Sequence, residues 1–323
     1  MERLNYTYSR IACETVLELL SHNYKLPTLT NCQFYTLGLH DNYLIEAEHT
    51  TYILRIYRRD WRSPEEIQFE LNLLDHLKTR GAEVSAPLTT KTTQLSIQLN
   101  CPEGSRSAAL FNYAEGIAPG RSLSIQQSHL LGNSVAKFHL IGDTFTTHIQ
   151  KQTLDTAYLL DKSIQVVKPF IDFEMQSYLK RLCQKIKTQL PRLPDKTGIL
   201  GICSGDINPG NFHIDENQNI TLFDFDQCGY GYRAFEIGKF ISSLHAFADK
   251  HKLSQAFIEG YERIRPLTDQ ETLSIPCYEI MSHIWVMAIH VYNIDRIGYK
   301  HLDDNYWKRQ LGILRVLDET HLK

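Results

Sequence analysis

The 323-residue chain is predicted to fold as an α+β protein, with a small antiparallel-sheet N-terminal lobe built around one main helix and a larger, mainly helical C-terminal lobe. Three observations predict it. Short β-branched and aromatic runs surround a single well-capped helix before residue 113. A stretch with two glycines and a proline follows at 114–120. Beyond it, helical periodicity dominates. The expected organisation is one lobe over 1–113, a linker over 114–120 and a second lobe over 121–323.

The first lobe opens with Ile11, Val16, Leu19 and Leu20 at mixed three- and four-residue spacing, which predicts an amphipathic helix over 9–21. Segments 43–46 and 52–57 are short apolar runs separated by a polar piece, as in a hairpin. At Ser63-Pro64-Glu65-Glu66 the serine can cap, the proline suits the first helical position, and Glu66 completes a capping box. The spacing predicts a helix from there to about Arg80, ended by Gly81. Runs over 95–99 and 108–113 complete a strand-strand-helix-strand-strand order. In the second lobe Ser124 with Gln127 forms another capping box, and Leu131, Val135 and Phe138 trace one helical face. Residues 173–190 and 272–298 also read as helices.

Composition narrows the function classes. A net charge of -3 leaves no basic face for nucleic acid. The chain has neither a signal-peptide apolar core nor an apolar run of about 18 residues, so no membrane partner is expected and the expected compartment is the cytoplasm. Seven cysteines, odd in number and never at C-x-x-C spacing, point to neither structural zinc nor a disulfide framework. Cys203 and Cys228 flank the motif described next and read as small apolar fillers.

That motif is Ser204-Gly205-Asp206-Ile207-Asn208-Pro209-Gly210-Asn211-Phe212-His213-Ile214-Asp215, followed by Ile220-Thr221-Leu222-Phe223-Asp224-Phe225-Asp226. Its order is loop, strand, polar turn, strand. A turn centred on Asn217 and Gln218 would pair Phe212 with Phe223 and set Asn211 opposite Asp224, with Cβ atoms about 4.5 to 5.5 Å apart. An amide oxygen and a carboxylate so placed can hold one Mg²⁺, which takes few protein oxygens and leaves the rest to phosphates and water. Asp206 stands five residues before Asn211, the D-x-x-x-x-N spacing that sets a base beside a metal-binding asparagine in phosphoryl transfer. The expectation is Asp206 as catalytic base and Asn211 and Asp224 as metal ligands. Taken singly, each could equally serve a turn or end a strand. Asp226 is either a second ligand or a hairpin-end carboxylate.

The block from Ser204 to Asp215, with TLFDFDQCGYGYRAFEIGKF after it, resembles the signature of the aminoglycoside phosphotransferase and choline kinase superfamily, H-G-D-x-x-x-x-N followed by D-x-D or D-x-E. It is most similar to the branch containing homoserine kinases and stress-response kinases. The resemblance extends to TTYILRIYRRDWRSPEEIQFELNLLDHL and GNSVAKFHLIGDTF, and so spans most of the chain. It implies a protein-kinase-like bilobal fold, a nucleotide-binding first lobe, and ATP or GTP as co-substrate with Mg²⁺.

In that family a first-lobe strand presents a lysine to the phosphates, paired with a glutamate from the next helix. Arg55 takes the lysine's place. Strand alternation sends it away from Tyr52, Leu54 and Ile56, either to the nucleotide or, as an edge arginine, to solvent. Glu70, on the face of Leu74 and Leu77, is the better partner because Glu66 serves the helix cap. The resemblance also implies that backbone groups around Asn112 and Ala114 meet the nucleotide base, and that the loop 37–42 covers the phosphates. Ser204 and Asn208 depart from frequent histidine positions.

The expected function is transfer of the γ-phosphate of ATP or GTP to a hydroxyl of a small metabolite: an amino acid, an amino alcohol or an aminoglycoside-like compound. The alternatives are a protein Ser/Thr kinase of the stress-response type and a nucleotide-binding pseudokinase. The helical face of His283, Met287, His290 and Ile294, with Tyr278, Trp285, Tyr292 and Asp295 nearby, is either a wall of the acceptor pocket or helix packing.

Overall fold

The computed structural model of the protein describes residues 5–322. The first four residues and Lys323, at the ends of the two expected lobes, lie outside the described residues. The chain forms two compact units, one of residues 1–116 with 145–151 and 221–223, the other of 117–144, 152–220 and 224–323. A division at the linker alone therefore misses two short segments that pack with the first unit.

The first unit contains α1 (Cys13–Asn23), β1 (Leu29–Leu37), β2 (Asp41–Ala47), β3 (Thr50–Ile56), α2 (Pro64–Thr79), β4 (Ile97–Cys101) and β5 (Gly104–Asn112). Its five strands form an antiparallel sheet in the order β1-β2-β3-β5-β4. β1 is absent from the sequence expectation because its exposed side chains alternate poorly between apolar and polar. Helix α1 starts at Cys13, later than expected, and its Val16 and Leu20, with Tyr24 just past its end, cluster with Tyr43, Ile45, Leu54 and Ile56. Burying each such apolar side chain stabilises the unit by about 1.5 to 3 kcal/mol. Helix α2 has both hydrogen bonds of the Ser63 and Glu66 capping box, and Gly81, φ +84°, follows its C-cap residue Arg80.

One buried cation fixes the sheet's periphery. Arg106 donates to Asp41 Oδ2 at 2.6 Å, to the Tyr57 carbonyl at 2.9 Å and to the Ser9 carbonyl at 2.9 Å, and pairs with Glu103. Ser9 completes the set by donating its N–H and hydroxyl to Glu103. A buried charge without such partners would cost several kcal/mol, so the network determines where the segment before α1 runs.

The second unit contains α3 (Ile125–Gly142), α4 (Ser163–Val167), α5 (Phe173–Gln189), β6 (Leu200–Cys203), β7 (Phe212–Ile214), β9 (Gly229–Tyr232), α6 (Arg233–Ser243), α7 (Lys250–Glu262), α8 (Asp269–Tyr292), α9 (Ile294–Ile297) and α10 (Asp304–His321), while β8 (Ile220–Leu222) has Ile220 in this unit and its other two residues in the first. The capping box of Ser124 and Gln127 opens α3, and another, Thr268 with Glu271, opens α8. Helices α3 and α7 meet through glycines: a Cβ on Gly132 would lie 2.0 Å from the Phe257 carbonyl oxygen, and one on Gly260 1.9 Å from that of His129. The small sheets are β6-β9 and β7-β8.

Most of the side chains on the helical face read as either a pocket wall or helix packing are packed inside this unit. His283, Met287, Tyr278, Trp285 and Ile294 are all buried. Trp285 and Tyr278 pack edge-on against Phe235 of α6, so these two serve helix packing, whereas His290 is only partly buried and lies close enough to Asp206 to feel its charge.

Candidate active site

The D-x-x-x-x-N loop joins β6 to β7, and two helices hold it in place. Glu236, in the first turn of α6, accepts three hydrogen bonds from the loop's start: Ser204 N–H at 2.5 Å, Ser204 Oγ at 2.9 Å and Gly205 N–H at 3.0 Å. Gly205 adopts φ +84°, and a Cβ there would lie 2.2 Å from the Gln227 carbonyl oxygen, so no other residue fits. Ser204, at a frequent histidine position, is buried and serves as this anchor.

Glu236 is itself supported by α3. His139 Nε2 lies 3.4 Å from Glu236 Oε2, and His139 Nδ1 is 2.7 Å from the Tyr261 hydroxyl. Burial, and then the charges of Arg233 and Arg265, hold His139 well below the usual histidine range, so it is a neutral hydrogen-bonding group. Burial pushes Glu236 up to about 7, opposed by the donors of Ser204 and Gly205. His139, Cys203 and Glu236 also lie close enough to share a metal ion. The hydrogen bonds of His139 and Glu236 and the nearby Arg233 and Arg265 favour a polar scaffold over a metal centre.

Within the loop, Asn211 Nδ2 donates to the Asp206 carbonyl at 2.9 Å and to Asp206 Oδ2 at 3.1 Å. The amide is thus turned with its nitrogen to Asp206, and its Oδ1 faces away as an oxygen donor. Asn208 tightens the turn by donating to the Asp206 carbonyl and accepting from Gly210 N–H. Lys239, one turn after Glu236 on α6, reaches Asp206 Oδ1 at 2.6 Å. Lys239 is a site residue that the motif alone does not single out. Its signal was present in the four-residue spacing from Phe235 to Lys239 on a helix whose residues are nearly all buried.

Asp224 differs from expectation. β8 ends at Leu222, and Asp224 follows it with φ +62°, in the left-handed region that costs a non-glycine residue about 1 to 2 kcal/mol. Asn211 likewise lies just outside β7. The turn closes through Asp215 N–H to the Asn219 carbonyl, with Asp215 Oδ1 accepting from Asn217 and Asn219 N–H. The expected register would set 215 opposite 220, so the turn is one residue tighter. Strand alternation consequently does not govern Asp224 and Asp226. Asp226 is buried and accepts from the Gln227 side chain at 2.8 Å. Strained backbone at a carboxylate is a feature of functional sites.

In the first unit, Arg55 lies on β3, the middle strand of the sheet, so the edge-arginine alternative does not apply. Its NH1 pairs with Glu70 Oε1 of α2 at 3.2 Å, and its guanidinium lies 5.5 Å from the Phe111 ring. At Asn112, the N–H donates to the Ala86 carbonyl and the carbonyl accepts from Ser85 Oγ at 2.5 Å, which commits the Asn112 amide donor to the fold. Ala114 is buried two residues on.

A sequence profile described as the phosphotransferase enzyme family, APH, matches residues 32–271. A protein of Synechocystis sp., described only as uncharacterized, is 37% identical over 315 residues, covering 97% of this chain and 87% of that protein. A homoserine kinase of Rhodopseudomonas palustris is 24% identical over 277 residues, 83% of this chain and 81% of its own. Among solved structures, amicoumacin kinase in complex with AMP-PNP and Ca²⁺ superposes with a TM-score of 0.78 at 17% identity, covering 96% of this chain and 94% of its own. No helix among the described residues is long and apolar enough to cross a membrane.

Proposed function

The chain belongs to the phosphotransferase enzyme family, APH, and is a kinase with an alcohol group as acceptor; we propose that it moves the γ-phosphate of ATP or GTP onto the hydroxyl of a small amine-bearing metabolite, an amino acid or amino alcohol. The observation that carries the reading is the loop geometry. One carboxylate, Asp206, is held on both oxygens and half-open to solvent, and Asn211 turns its amide oxygen outward beside it. The homoserine kinase relatives favour an amine-bearing acceptor.

In this reading the acceptor hydroxyl donates its proton to Asp206 as its oxygen bonds to the γ-phosphorus and the bond to the departing diphosphate breaks. The proton ends on Asp206, and the other product is the nucleoside diphosphate. Asn211 Oδ1 and the Asp224 carboxylate are hard oxygen donors of the kind a divalent cation takes, and they fit Mg²⁺. When bound, Mg²⁺ would neutralise phosphate charge. In the first unit, Arg55, steadied by Glu70, binds phosphate oxygens as a planar fork. The base is read by backbone groups near Ala114, since the Asn112 N–H is committed elsewhere.

The test is ADP or GDP release with Mg²⁺ against a panel of amino acids, amino alcohols, aminoglycosides and protein acceptors, with Asp206→Ala as control. Release stimulated by one amine-bearing hydroxyl compound, and absent from the control, is the expected result. Stimulation by protein acceptors alone would move the assignment to a protein kinase. Nucleotide binding without release under any condition would favour a pseudokinase.

A further inference from the structure

We infer that Lys239 is a positioning residue for the phosphoryl-transfer step, fixing the Asp206 carboxylate from behind so that its outer side meets the acceptor hydroxyl; this rests on the proposed role of Asp206. The pair is asymmetric. The Lys239 side chain is 4% exposed and that of Asp206 30% exposed, so the ammonium is built into the interior and the carboxylate faces outward. A buried ammonium costs several kcal/mol unless it is paired. The neighbouring Glu236 on α6 feels the lysine's charge, but its hydrogen bonds come from Ser204 and Gly205. The direct partner is Asp206 Oδ1 at 2.6 Å, while Asn211 holds Oδ2.

Two donors on two different oxygens restrain the rotation of the carboxylate about its side-chain torsions. With one removed, Asp206 keeps only the 3.1 Å bond from Asn211 and can swing away from the direction the hydroxyl requires. The lysine is carried on a helix that also holds the start of the loop, so α6 sets both the backbone position and the side-chain orientation of the base. During transfer the proton passes to Asp206.

Displacing a reacting group by about 1 Å costs on the order of 100-fold in rate, so Lys239→Met is expected to lower kcat roughly 100-fold. The Kd for Mg-AMP-PNP should stay within about threefold, since no nucleotide contact is removed. Lys239→Arg should recover part of the loss, and ethylammonium added to Lys239→Gly should restore turnover in a saturable way, which a purely structural role would not predict. The assay follows ADP release from Mg-ATP with the acceptor found in the panel, or with water if none responds. A kcat for Lys239→Met within about threefold of wild type, beside an inactive Asp206→Ala, would overturn the inference and leave the function intact. An active Asp206→Ala would overturn the function itself. Should turnover be too slow to measure or Lys239→Met fail to fold, the ¹H–¹⁵N signal of the Lys239 ammonium decides. Its presence in wild type and loss in Asp206→Ala supports the pairing, and its absence from wild type overturns it.

Discussion

The two units position their candidate site residues by different means. In the first unit, Arg55 and Glu70 stand on a central strand and a long helix, and their meeting at 3.2 Å follows from the periodicity of those elements. In the second, Asp206, Asn211 and Asp224 all lie outside regular structure, and buried polar side chains contributed from helices hold the loop that carries Asp206. Regular elements thus present a charge pair cheaply, whereas a loop carrying a base needs a scaffold of satisfied polar groups. Mutating the two arrangements should therefore have different consequences.

The largest effect, after loss of Asp206 itself, is expected at Asp224. Asp224→Ala should weaken Mg-nucleotide binding by tenfold or more, about 1.4 kcal/mol, as read by calorimetry with and without Mg²⁺. The same variant should also be somewhat less stable, because alanine tolerates the left-handed backbone at this position less well than aspartate. At Glu236 the order reverses. Glu236→Ala leaves three buried donors unsatisfied and should lower unfolding free energy by about 2 to 4 kcal/mol, measured by chemical denaturation. Activity would fall with it because Gly205 and Ser204 lose their anchor. A variant as stable as wild type would contradict the scaffold.

In the first unit the effects should be smaller. Arg55→Ala should raise the Kd for nucleotide about tenfold, whereas Arg55→Lys keeps the charge and loses only the fork, giving an intermediate value. Neither should change stability by more than about 1 kcal/mol beyond the cost of leaving Glu70 buried beside a smaller partner.

The smallest contrast is in pH dependence. Burial, then the nearby His245, lowers His283 from 6.5 to about 4, and burial also lowers His290 and His139. These groups are neutral in the folded protein, while the unfolded chain takes up their protons first as pH falls. Glu236, raised to about 7, takes up a proton in the folded state and opposes this in part, but the three histidines outweigh it, so the unfolded state binds more protons in this range and stability should decline as pH drops from about 6.5 to about 4. Thermal melts across that range would show it, and a flat profile would contradict the burial of these histidines.

What the sequence revealed follows the same division. The capping boxes at Ser63 and Ser124, the strands around Arg55 and the choice of Glu70 over Glu66 were legible because they rest on period and local hydrogen bonding. The D-x-x-x-x-N spacing was legible as a motif. The geometry around it was not: the turn at Asp215 is one residue tighter than strand pairing suggested, and the left-handed conformation of Asp224 breaks the alternation assumed for it. Lys239 and Glu236 act on residues more than thirty positions away, and no local pattern announces such a partner. β1 was missed because much of it is exposed, and tertiary pairing rather than an apolar period defines it.

The most direct test of the account is transfer of label from γ-³²P-ATP to a hydroxyl acceptor by wild type and Asp206→Ala, with AMP-PNP affinity measured on the same samples. The account predicts a labelled small molecule from wild type, a rate lower by about 10³-fold or more in the variant, and similar affinity in both. Equal labelling by the two proteins would contradict it.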